Sequence, residues 1–198
     1  MSGRISTVAI IFSYLGFALF CLLVFRAIVR REYIRRGRLT FAGVVLELEV
    51  FGFRASMLYL HVPADWPNLP ALEDRPLMNA FGILLIVVGL IGLLLAMKSP
   101  GFLAALGEGK DRLHREGMYR WSRNPQIVAY WLDLIGCALL WPSLLVLLWL
   151  AAYDVAAHLM IHTEEEFLVK AYGSDYSSYS DETPRYVGLV KWIGRILP

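Results

Sequence analysis

Two polar stretches border apolar runs in this chain, and both are made of residue types that bind charge. The first is GMYRWSRNP, residues 117–125. Asn is a favoured helix N-cap and Pro a favoured first helical residue, so Asn124-Pro125 predicts a helix start. The free N–H groups and positive dipole end of such a start suit a carboxylate or a phosphate, and Arg123 adds a bidentate donor beside them. The second is HTEEEF, residues 162–167, followed by Tyr172, Gly173, Tyr176, Tyr179 and Arg185. Glu164, Glu165 and Glu166 stand where an apolar helix should end, and the dipole disfavours carboxylates there. They either open a solvated helix or bind a cation, and one of the three is expected to be merely solvated. Tyr172, Tyr176 and Tyr179 follow helical spacing and are expected to pack rather than to cage a ligand. His158 and His162 lie one turn apart with Asp154 a turn earlier. They lack a clear third ligand, so no metal is expected. Polar residues lining a cavity, with Asp133 facing them, is the reading preferred.

These stretches need elements to hold them, and composition says which kind. The chain has 198 residues, 58% hydrophobic and 18% charged, with a mean hydropathy of +0.54. An integral membrane protein is the class those values indicate. Cys21 and Cys137 sit inside apolar runs and read as small hydrophobes. No CxxC, HExxH, GxGxxG or P-loop pattern occurs, which excludes the commonest soluble cofactor motifs. Apolar runs at about residues 6–28, 40–62 and 77–97 predict three spans, the first a retained helix because its arginines follow it. The second carries Glu47, Glu49 and Arg54, and Glu47 and Arg54, two turns apart, share a face on which they could pair. Residues 125–161 form two more apolar segments separated by Trp141-Pro142-Ser143, which predicts a tight antiparallel hairpin. The fold class expected is therefore all-α, a multi-pass transmembrane bundle of about five spans with a C-terminal helical hairpin.

Lys and Arg set the orientation. Arg26, Arg30, Arg31, Arg35, Arg36 and Arg38 accompany the end of the first run, and Lys98, Lys110, Arg112, Arg115, Arg120 and Arg123 follow the third. The loop between the second and third holds only Arg75 against Asp65, Glu73 and Asp74. The positive-inside rule then places the N-terminus outside, and both polar stretches on one cytoplasmic side. The last twelve residues, VGLVKWIGRILP, place Lys191 and Arg195 among apolar residues and read as a short amphipathic piece on the membrane surface.

Taken together, GMYRWSRNP, a helical hairpin and EEEFLVKAYGSDYSSYSDETPRYVG resemble the isoprenylcysteine carboxyl methyltransferase and phospholipid methyltransferase superfamily, integral membrane enzymes that use S-adenosylmethionine. Gly117, Tyr119, Arg123 and Pro125 fit the first block of its pattern. Glu164, Glu165, Leu168, Tyr172, Gly173, Tyr176, Tyr179, Thr183, Pro184 and Arg185 fit the second, and the likeness covers about residues 107–188. Two positions depart: Asn124 stands where the family carries His, and Ile127 where it often carries Tyr. Asn donates and accepts hydrogen bonds but does not titrate near neutral pH.

The resemblance implies a cytoplasmic cofactor cleft in which Tyr119, Arg123, Asn124, Pro125, Glu164, Glu165 and Tyr172 hold S-adenosylmethionine. Glu164 or Glu165 would face its cationic end, while Arg123 and the helix N-terminus would face its carboxylate. Arg185, with Glu165, is the expected catalytic group, as partner of an acceptor carboxylate. Residues 1–97 would serve substrate access and residues 98–198 would form the catalytic part. The acceptor implied is lipophilic or prenylated and enters from the bilayer; isoprenylcysteine, a phospholipid amine and a small thiol all suit such a cavity. Membrane lipids are the expected surroundings, in the cell membrane or the endoplasmic reticulum. Nucleic acid is not an expected partner, and the chain is expected to be a monomer. Two other readings remain: an NADPH-dependent reductase of the membrane sterol type, whose N-Y and tryptophan positions this chain lacks, and a non-catalytic membrane relative.

Overall fold

The computed structural model describes residues 7–60, 71–98, 100 and 113–188, and among these the regular structure is helical throughout. The first helix, α1 (Thr7–Arg36), runs 30 residues without a break. Its segment Leu22–Val29 is wound as a π-helix, in which the Arg30 N–H bonds to the Phe25 carbonyl five residues back. Gly37 ends α1 in the left-handed conformation, φ 68°, which residues with a Cβ rarely adopt. The turn that follows is tied by Glu32, whose carboxylate accepts from the Thr40 N–H at 2.8 Å and the Thr40 hydroxyl at 2.6 Å. Thr40 in turn caps α2 (Phe41–Ser56) by accepting from the Gly43 N–H at 3.2 Å.

A 3-10 turn, Met57–Leu60, closes α2. Then come α3 (Pro76–Lys98), α4 (Pro125–Leu140), α5 (Leu144–Tyr172) and α6 (Ser174–Glu182). Helices α1, α3 and α5 are long and apolar enough to cross a membrane, and α4 is a shorter apolar helix of 16 residues. The count of about five spans thus includes two short members, α4 and the charge-bearing α2. The amphipathic piece expected over residues 187–198 lies outside the described residues except for its first two.

The bundle has two packing centres. Helices α1, α2 and α5 share a core of buried side chains, among them Phe17, Val24, Phe25, Trp149, Tyr153 and Ile161, to which α4 adds Ile127 and Leu134. Helices α3 and α4 instead meet through small residues, which allows close backbone approach where no hydrophobic effect drives helices together. A Cβ on Gly136 would lie 2.6 Å from the Gly82 carbonyl oxygen, and one on Gly89 would lie 2.8 Å from the Ala129 carbonyl oxygen.

The helical hairpin expected over residues 125–161 forms, with α4 packed more extensively on α3 than on α5, and two expectations change, at Arg54 and Asp133. Helix α4 lies along α3 and touches α5 chiefly around Tyr153, whose hydroxyl donates to the Ile127 carbonyl at 3.3 Å. The glycine faces of α3 and α4 fit more closely than α4 fits the bulky side chains of α5. Arg54 bonds across the bundle rather than along its own helix to Glu47. Its Nε and Nη2 donate to the Trp149 carbonyl at 3.3 and 3.0 Å, its guanidinium lies 3.5 Å from the centre of the Trp149 ring, and the Trp149 indole N–H returns a bond to the Arg54 carbonyl at 3.0 Å. A buried guanidinium needs a fixed acceptor, and a carbonyl facing it supplies one. Asp133 faces Gly89 of α3 rather than the histidines, because glycine alone leaves room for its carboxylate at that crossing.

Candidate functional site

The sequence places Gly117 (φ 59°) and Pro125 at either end of a short polar link, and the structure shows how that link is anchored. A 3-10 turn, Gly117–Arg120, leads into Trp121 and Ser122, and Pro125 opens α4 as expected. The Arg123 N–H donates to the Pro184 carbonyl at 2.9 Å. The Ser122 hydroxyl and the Asn124 side-chain amide both donate to the Arg185 carbonyl, at 3.3 and 3.1 Å. The Tyr179 hydroxyl donates to the Tyr119 carbonyl at 2.8 Å. Three of these bonds stitch the start of α4 to the segment after α6 and the fourth comes from α6 itself, so two stretches some sixty residues apart form one surface.

Asn124 occupies the N-cap position without capping. It adopts φ −132°, ψ 61° and makes no side-chain bond to α4. Its amide is turned away to the Arg185 carbonyl, while the Ser122 hydroxyl accepts the Asn124 N–H at 3.1 Å. An amide donor is all that contact needs, which gives a physical reason for Asn to serve where the resemblance would put His.

Side-chain charge gathers on this stitched surface. Glu165 accepts from Arg123 Nη1 at 3.0 Å and from Arg185 Nε and Nη2 at 3.1 and 2.5 Å. The side chains of Arg123 and Glu165 are 14% and 16% exposed, and that of Arg185 is 41% exposed. Arg123 also donates to the Tyr176 hydroxyl at 3.1 Å, and its Nε is buried with no partner among the described residues. Two guanidiniums and one carboxylate leave one positive charge in excess. The hydrogen bonds to Glu165 push Arg185 above its ordinary pKa, so it stays charged. Burial pushes the phenols of Tyr119, Tyr176 and Tyr179 upward, that of Tyr119 to about 12, so the surrounding hydroxyls stay neutral.

Two cavities flank α5 at this level. One, about 330 Å³, is a largely apolar chamber walled by α2, α3, α4 and α5. Glu47, Gln126, Tyr130, Tyr153 and Glu164 line it, with Tyr33 at its edge. The other, about 600 Å³, is an open basin between α1, α5 and the segment after α6, where Arg30, Glu165, Glu166, Lys170 and Arg185 stand among apolar side chains such as Ile34 and Phe167. Neighbours on α5 therefore serve different spaces: Glu164 faces the chamber, and Glu165 the arginines and the basin. The Tyr119 hydroxyl donates to Gln126 Oε1 at 3.2 Å, which joins the link to the chamber wall.

Of the residues expected at the site, Arg123, Asn124, Pro125, Tyr119, Glu165 and Arg185 form one bonded group, and Glu164 stands beside it. Tyr172, half-buried at the end of α5, lines neither cavity. Tyr176 and Tyr179 pack against each other edge to face, as their spacing suggested. The structure adds Tyr33, Glu47, Tyr130 and Tyr153. Glu47 had a visible signal, a carboxylate inside an apolar run, although its part in a chamber depends on helices far apart in sequence.

A family model for phospholipid methyltransferases matches residues 77–175, half of the chain, from the start of α3 into α6. No curated protein and no solved structure matches the chain.

Proposed function

Since the chain belongs to the phospholipid methyltransferase family, a family of membrane methyltransferases, we propose that it moves a methyl group from S-adenosylmethionine to the head of a lipophilic acceptor drawn from the bilayer. The observation that supports this reading is the division of labour at Glu164 and Glu165. The cofactor carries a carboxylate together with two cationic groups, and adjacent positions on α5 offer a site for each sign. The excess charge of the Arg123–Glu165–Arg185 group, with a buried Arg123 Nε that has no partner among the described residues, suits the carboxylate. Glu164, in an apolar and aromatic chamber, suits a cation. Glu165 is committed to two arginines, so its part is to hold them rather than to meet the ammonium.

When bound, the cofactor supplies an electrophilic methyl group, and the protein's task is then positioning and exclusion of water. The chamber walls do this for the acceptor head. Glu47 and Glu164 line the chamber, and Arg185 does not. The acceptor read here is therefore an amine rather than a carboxylate, and a chamber carboxylate oxygen is placed to take the proton an ammonium must lose before its nitrogen has a lone pair. The acceptor's tail would leave the chamber between α2 and α3, whose Leu48, Gly52, Leu93 and Met97 line it.

Methyl transfer from labelled S-adenosylmethionine, assayed across amine-bearing lipids and prenyl-cysteine analogues, tests this. Label is expected in an amine lipid, and label confined to a prenyl-cysteine carboxylate would overturn the acceptor assignment. The cation-rich stretches at residues 26–38 and 98–123 favour a cytoplasmic face for the site in this reading. A reporter fused at Lys110 is accordingly expected to read as cytoplasmic, and external labelling at that position would refute the orientation.

A further inference from the structure

Glu166, the third glutamate of the run, faces neither the chamber nor the Arg123–Arg185 pair. Its carboxylate is held by Arg26 Nη2 at 2.9 Å and Arg30 Nε at 2.7 Å, and His162 Nδ1 lies 3.1 Å from it and 3.3 Å from Arg26 Nη1. Beside it, Arg26 Nη1 donates to the Thr163 hydroxyl at 3.3 Å, and that hydroxyl donates to the Phe25 carbonyl at 3.2 Å. All these α1 groups belong to, or adjoin, the π-wound segment Leu22–Val29. Insertion of such a turn in a long helix is uncommon and tends to accompany function. Here the segment presents Arg26 and the Phe25 carbonyl to a single turn of α5, and the residue just after it, Arg30, joins them there.

That turn is the one carrying Glu164 and Glu165. Successive residues of an α-helix point about 100° apart, so fixing the direction of Glu166 fixes the other two. We propose that Glu166 is a positioning residue for the methyl-donor site: Arg26 and Arg30 hold it, and through it α1 sets the rotation of α5 that sends Glu164 into the chamber and Glu165 to its arginines. The inference rests on the donor site as read above, and it assigns to α1, which lies outside the matched residues 77–175, a part in assembling that site. At a radius of about 6 Å, a turn of about 20° carries a glutamate head about 2 Å, enough to break its bonds. The side chains of Arg26, Arg30 and Glu166 are 33%, 45% and 32% exposed. Part-exposed ion pairs add little to global stability, so the rotational effect separates from a loss of fold.

The test compares binding of S-adenosylhomocysteine with thermal midpoint for the purified full chain in lipid nanodiscs. Glu166→Lys is expected to weaken binding about tenfold or more while moving the midpoint by only a few degrees. Glu166→Gln, which keeps the shape but loses the charge, weakens it about threefold. Adding Arg30→Glu to Glu166→Lys rebuilds a mixed-sign cluster with Arg26 and restores affinity to within about threefold of wild type. Wild-type affinity in both single variants, a fall in midpoint that accounts for the loss, or no recovery in the double variant would overturn the proposal. Glu165→Gln separates the two readings. If it loses binding while Glu166→Lys keeps it, positioning falls and the donor site stands. If the unaltered chain does not bind, both fall.

Discussion

Glu165→Gln is expected to weaken binding of S-adenosylhomocysteine by about a hundredfold or more, with helical content and membrane insertion unchanged. The carboxylate is the shared acceptor of Arg123 and Arg185, and the amide that replaces it cannot neutralise either. Arg123 is then a largely buried cation without a counter-charge, a situation that costs about 3 kcal/mol when a buried pair is broken. The group that should receive the ligand's carboxylate loses its geometry with its charge balance. Arg123→Ala is expected to match it, because that change removes the buried Nε and the bond to the Tyr176 hydroxyl as well. Arg185→Ala should cost less, since its side chain is 41% exposed and water can replace part of what it gives. Calorimetric titration of the three variants checks the order, and an unchanged affinity in Glu165→Gln would remove the cluster from the site.

Gly136→Val is expected to lower the thermal midpoint by roughly 10 °C, the consequence of about 3 kcal/mol of overpacking in a chain of this size. The first atom of any side chain there would lie 2.6 Å from the Gly82 carbonyl oxygen and 2.7 Å from Ile86 Cγ1. One of these is backbone, so relief requires α3 and α4 to part. Helix α4 carries Pro125, Gln126 and Ile127 at its first turn, so separation would also displace the link from the segment after α6. Gly16→Ala is the matching control, because nothing lies within 4 Å of the added atom. Thermal melts of both variants decide the matter, and a Gly136→Val protein as stable as the parent would contradict the α3–α4 contact.

The long spans were legible in the sequence because a run of some twenty apolar residues has few other uses, and α1, α3 and α5 lie where such runs occur. The start of α4 was legible because Pro supplies a fixed backbone angle at a first helical position. The two polar stretches could be joined only through resemblance. Nothing local says that the Arg123 N–H will meet the Pro184 carbonyl. Partner choice was the part least accessible. Helix α4 follows the short break at Pro142, which suggested α5 as its mate, yet Gly82, Gly89 and Gly136 allow α3 to come closer. Arg54 had a plausible partner on its own helix and found a carbonyl on another. The three glutamates were identical as letters, and only the surrounding helices divide them among a chamber, two arginines and the α1 clamp. The π-wound segment LLVFRAIV has no glycine or proline to announce it.

The central claim is that the Arg123–Glu165–Arg185 group and the chamber beside Glu164 form a methyl-donor site. Its most direct test is calorimetric titration of the purified, unaltered protein with S-adenosylhomocysteine and, separately, with NADPH. Saturable binding of S-adenosylhomocysteine, abolished in Glu165→Gln, with no binding of NADPH, is the result predicted. Saturable binding of NADPH without binding of S-adenosylhomocysteine would contradict it.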